Sequence, residues 1–91
     1  MKPDLIIDQI REINPEAVIF DGLNDAIIGM GSQSGKDSLL IYSAKKIIKL
    51  LVKGGMKVDE AKEYYDFNIQ GLWAGEMTPI IMEDFWNELF I

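Results

Sequence analysis

Two β-prone runs, Ala26-Ile27-Ile28-Gly29-Met30 and Leu39-Leu40-Ile41-Tyr42, flank the glycine- and serine-rich stretch Gly31–Ser38. Turn-forming residues between two apolar runs are how a chain reverses between strands, so the segment reads as a hairpin. That reversal constrains what can be built around it. Ala17-Val18-Ile19-Phe20 is a third compact β-prone run, and Asp21-Gly22-Leu23-Asn24-Asp25 supplies turn residues after it. Together the three runs predict an antiparallel meander.

Helical periodicity surrounds the meander. Ile6, Ile10 and Ile13, with Ile7 beside them, share one face of a helix over Asp4–Ile13; Asp4 is placed to cap it and Asn14-Pro15 to end it. Ser43 suits the N-cap of a helix over Ala44–Lys53, with Ala44, Ile47, Ile48 and Leu51 on its apolar face and a basic stripe of Lys45, Lys49 and Lys53. Gly54-Gly55 stops it. A further helix, capped by Asp59 and reaching Leu72, turns Ala61, Tyr65, Ile69 and Leu72 inward. Thr78–Met82 suits a late edge strand and Asp84–Phe90 a short terminal helix. The order predicts an α+β fold, a small antiparallel meander packed by two to four helices, in a single domain over residues 1–91.

The loop between the strands also invites a chemical reading. A P-loop requires G-x-x-x-x-G-K-[ST], in which backbone N–H groups and the lysine cradle phosphates. Gly35-Lys36 is present, but Met30 stands where the first glycine belongs and Asp37 where the hydroxyl belongs. Ser34-Gly35-Lys36-Asp37-Ser38 more closely resembles the S-G-G-x-D-S loop of the PP-loop ATP pyrophosphatases, with one glycine missing. That fold is a full parallel α/β domain longer than this chain, and no second nucleotide motif follows. A turn is the preferred reading. A small-ligand module holding a nucleotide or other anion through Ser34, Gly35, Lys36 and the stripe of Lys45, Lys49 and Lys53 is the alternative.

Composition narrows the chemistry further. The chain has a net charge of −6 and neither histidine nor cysteine. It therefore lacks the usual general base at neutral pH, the soft metal ligands and any disulfide framework. We expect no enzyme, no cofactor and no metal site. Asp21, Asn24 and Asp25 do not follow the alternating EF-hand spacing and suit Asx turns instead. A metal-dependent hydrolase using Asp21, Asp25 and Glu76 is the least favoured possibility. No apolar run approaches the roughly 20 residues of a membrane span. The start, Met1-Lys2-Pro3-Asp4, has no basic region followed by an apolar one, so no secretory signal is expected and a cytoplasmic setting fits. The acidic total makes nucleic acid an unsuitable partner. Charge is also segregated: seven of the nine basic residues lie between Lys36 and Lys62, whereas Glu63–Ile91 holds six acids and no base. Such a chain is suited to imitating nucleic acid or to docking on a basic partner.

Tyr64, Tyr65, Phe67, Trp73, Phe85, Trp86 and Phe90 crowd into the last 28 residues. Most are expected in the core. Those left exposed mark a protein–protein surface, since aromatic side chains are favoured anchors there. Trp73, Phe85, Trp86 and Phe90 are the candidate interaction residues, with a protein partner of unknown identity or a second copy of the chain as the occupant.

Three segments together resemble a family of short bacterial and phage proteins of unestablished activity. They are Phe20-Asp21-Gly22-Leu23-Asn24-Asp25-Ala26-Ile27-Ile28-Gly29, Tyr42 with the helix after it, and Asp59-Glu60-Ala61 through Tyr65-Asp66-Phe67-Asn68 to Gly75-Glu76-Met77-Thr78-Pro79-Ile80. That family shares F-D-G-x-x-D-A-I-I-G and a later Y-x-F-N helix followed by G-E-x-T-P-I. The likeness spans roughly residues 18–82. It implies a mobile-element setting and a variable stretch between the two hairpin strands, where the phosphate-like residues fall. The expectation is a non-enzymatic, acidic interaction protein that binds and modulates, or inhibits, a host protein.

Overall fold

The computed structural model describes residues 2–84. Helix α1, Pro3–Ile13, opens with proline at its first position and carries Asp4 in its first turn. Proline's fixed φ suits that position, and the carboxylate faces the positive end of the helix dipole. Asp4 thus sits inside the helix, and Lys2 occupies the cap position that the sequence suggested for it. Ile6, Ile7 and Ile10 are buried, but Ile13 is 56% exposed and leaves the expected apolar face at the helix end.

The hairpin forms as the sequence predicts. Strand β1 (Ile27–Gly31) pairs antiparallel with β2 (Leu39–Ser43), with a bulge between Ile27 and Gly29. The third strand differs. Ala17–Phe20 joins no sheet ladder: Val18 N–H donates to Met77 O at 3.0 Å and Phe20 N–H to the Tyr42 hydroxyl at 2.8 Å. The place beside β2 is taken instead by β3 (Ile80–Met82), and it runs parallel. The sheet is therefore mixed, in the order β1-β2-β3, rather than an antiparallel meander. A parallel partner requires a crossover. Helices α2 (Ala44–Lys53) and α3 (Val58–Tyr65) provide it between β2 and β3. The α+β class holds.

Ser43 Oγ caps α2 by accepting from Lys46 N–H at 3.1 Å. The Asp84 carboxylate, just beyond β3, takes a hydrogen bond from Ser43 Oγ and another from Lys45 N–H at 2.8 Å. A negative charge is thus fixed at the positive end of α2, tying β3 to the helix start. Partial burial alone would raise the Asp84 carboxyl, but the bonds from Ser43 and Lys45 and the nearby Lys45 charge hold it below the ordinary carboxylate value. At α3, Glu60 Oε1 accepts from Lys57 N–H at 3.1 Å, so Lys57 rather than Asp59 stands at the cap. The α-helix ends at Tyr65 and continues as a wide π turn, Asp66–Gln70. Ala61, Tyr65 and Ile69 face inward as the sequence suggested, but Leu72 is 43% exposed.

One hydrophobic cluster joins these elements. Ile6 and Ile10 of α1, Leu40 and Tyr42 of β2, Ile47 of α2 and Ala61 of α3 have no exposed surface. The Tyr42 ring packs at 5.0 Å from that of Phe20, tilted by 42°. Burial raises the Tyr42 hydroxyl above its ordinary value, partly offset by the Phe20 bond. Burial, reinforced by Glu83, Asp66 and Asp84, pushes Tyr65 up to about 12. No helix among the described residues is long and apolar enough to cross a membrane. The expected helix over Asp84–Phe90 lies outside the described residues.

Candidate functional site

A hollow of about 780 Å³ lies between the hairpin loop and the segment leading into β3. The hairpin wall turns through Gln33–Lys36, closed by Lys36 N–H donating to Gln33 O at 2.9 Å. Gly35, the third residue, has a φ of +79°, the conformation a type II turn demands there and glycine accepts without strain. Ser34, Gly35 and Lys36 are all exposed. Gly35 and Lys36 line the hollow, and Ser34 is not among its lining. The Lys36 N–H is already used in the turn, and the carboxylates of Asp37 and Glu76 share the hollow. Of the three residues proposed for an anion, Gly35 and Lys36 thus line the hollow, beside two carboxylates.

The opposite wall carries Trp73, which is 70% exposed. Its loop is internally braced. Thr78 Oγ1 accepts from Ala74 N–H and donates to Gly75 O, each at 2.7 Å, while Thr78 N–H donates to Gly75 O at 3.2 Å. Gly75, with φ of +94°, takes the left-handed turn inside that brace. Thr78 itself is 8% exposed and Pro79 is buried, so the loop is anchored at its base.

Asn14 fixes the two walls relative to each other. It ends α1, its own N–H donating to Ile10 O at 2.7 Å. Its side-chain amide donates to Ser38 O at 2.9 Å, at the end of the hairpin loop, and to the Met77 sulfur at 3.2 Å, on the Trp73 side. Its Oδ1 accepts from Glu16 N–H at 3.3 Å. With 7% of its surface exposed, Asn14 is a nearly buried polar clamp. Sequence reading treats it only as a helix terminator, because partners 24 and 63 residues away leave no local signal.

Leu39, Met77, Pro79 and Ile80 supply apolar lining, and Ser32 and Gln33 supply polar lining beside the charged residues. Apolar area with convergent polar groups and an accessible tryptophan suits a peptide or protein segment. The carboxylates of the hydrolase alternative are not gathered: Glu76 lines this hollow, whereas Asp21 lines a separate one with Phe20 and Leu72. Among the described residues no group of three or more acidic, histidine or cysteine side chains is placed to hold a metal. The turn after Phe20 is closed by backbone bonds, Leu23 N–H to Phe20 O and Ala26 N–H to Leu23 O, and not by the Asx side chains expected there.

The aromatic cluster is less buried than the sequence suggested. Of its described members only Tyr65 is core; Tyr64 is 42% exposed and Phe67 78%. Phe85, Trp86 and Phe90 lie outside the described residues. Tyr64 and Asn68 are shared by two hollows of about 380 and 350 Å³ that run along α3 and the π turn. Comparisons with protein-family models, with curated proteins and with solved structures find no match to this chain.

Proposed function

We propose that this chain is a non-enzymatic interaction module that binds and modulates another protein through the groove walled by Trp73 and the hairpin loop. The observation that carries this is Trp73 itself, largely exposed on a loop that Thr78 braces and Asn14 ties to the fold. An aromatic side chain carried on a loop whose backbone is braced before binding loses less freedom on binding. Tryptophan is also the residue type most favoured as an interface anchor. The mobile-element setting implied by the sequence resemblance adds the expectation that the target is a host protein.

The test is affinity capture from a lysate of the source cell with the wild type and with Trp73→Ala. An exposed side chain is removed at a cost within about 0.5 kcal/mol, so the variant stays folded. Capture of a stoichiometric partner by the wild type and its loss from the variant supports the proposal. Equal recovery by both proteins contradicts it.

A further inference from the structure

The two hollows along α3 and the π turn form a second surface, independent of the Trp73 groove. Tyr64 and Phe67 stand three residues apart on one side of the helix, with Met56, Leu51 and Leu72 beside them. Tyr64 lies in the last turn of α3 and Phe67 in the π turn, and the two exposed rings line one hollow against which another helix can pack. The charged residues lining these hollows are Asp21, Glu60 and Glu63; no lysine or arginine is among the described residues that line them. The surface therefore sets aromatic and aliphatic side chains among carboxylates of one sign.

We propose that this trough docks an amphipathic, basic helix of a different protein, with apolar side chains set against Tyr64 and Phe67 and lysines or arginines facing Glu60 and Glu63. Charge complementarity selects the occupant. The chain's own described helices do not supply it. Basic α2 buries its apolar residues Ala44, Ile47 and Ile48 in the core. Helix α1 exposes Leu5, but beside Asp8 and Glu12, whose charge has the wrong sign. A second copy is therefore disfavoured as the occupant.

The test is titration of the full isotopically labelled chain with a synthetic leucine–lysine helix of about five turns, followed by amide chemical shifts. A leucine–glutamate helix of the same pattern serves as control. The amides of Glu60–Ile69 move with the basic peptide and not with the acidic one. Phe67→Ser weakens binding at least tenfold, as does the pair Asp21→Lys with Glu63→Lys, whereas Leu5→Ser on α1 leaves the affinity unchanged. Phe67 is 78% exposed, so its variant keeps the fold, and the charge-reversed pair tests the surface without touching an apolar residue. Shifts elsewhere only, equal binding of the acidic peptide, or no loss with either variant overturns the proposal. A dimer formed through this face, or contacts from residues 85–91 to Phe67 in the free chain, also overturns it.

Discussion

Replacing Asn14 with alanine tests whether one amide holds the groove together. Its bond to Ser38 O at 2.9 Å is a normal one, worth about 1 kcal/mol. The Met77 sulfur is a weak acceptor and the bond from Glu16 N–H at 3.3 Å is long, so the two add about 0.5 kcal/mol between them. Because the site is nearly buried, the Ser38 carbonyl loses its partner without ready access to water, which adds about 1 kcal/mol. The sum is about 2.5 kcal/mol, or a fall in Tm of about 10–20 °C for a chain of this length. Urea and thermal unfolding followed by circular dichroism measure it. A second readout separates clamp from generic loss: in a Trp86→Phe background, Trp73 emission shifts in native buffer as its wall is released. A stability loss below about 0.5 kcal/mol, the level of an ordinary surface change, would refute the clamp.

Other expectations follow from the same contacts. Tyr42→Phe leaves Phe20 N–H without its acceptor and costs about 1–2 kcal/mol in urea unfolding, with no change in secondary structure; an unchanged midpoint would contradict it. Asp84→Asn weakens the tie to Ser43 and Lys45 and costs about 1–2 kcal/mol at neutral pH. Since the folded Asp84 pKa lies below its unfolded value, its contribution is full above the ordinary carboxylate value of 3.8 and is lost as pH falls through the lower folded value. The gap between wild type and variant therefore closes only in acid, and a gap constant from neutral to strongly acidic pH contradicts this. For Tyr65 the sign is opposite: the unfolded chain ionises near 10 and the folded chain near 12, so stability falls as pH rises across that interval. Tyr65→Phe removes this part of the alkaline loss, read from midpoints between pH 9 and 12.

Local patterns made much of the frame legible. The Ser43 cap, the Gly54-Gly55 stop and the isoleucine spacing of α1 are short-range signals, and they place α1 and α2 correctly. The hairpin and its Gly35 turn are equally local. Strand partnership is not. Ala17–Phe20 has β-prone residues, but its N–H groups are met by Met77 O and the Tyr42 hydroxyl, and the ladder beside β2 goes to a segment that returns only after two helices. Trp73 was legible as a candidate from its type alone; its exposure follows from the fold. Asn14 was not, because its role consists of long-range contacts. Tyr64 and Phe67 belong to an aromatic group expected to be mostly core, yet neither lies on the inward face of Ala61, Tyr65 and Ile69, and both are exposed.

The most direct test of the central claim is photo-crosslinking from position 73 inside the source cell. A benzophenone amino acid replaces Trp73 in one protein and Leu5, exposed on α1, in another. One discrete protein adduct is expected from position 73, absent from position 5 and suppressed by Asn14→Ala. The same adducts from both positions, or none from position 73, would contradict it.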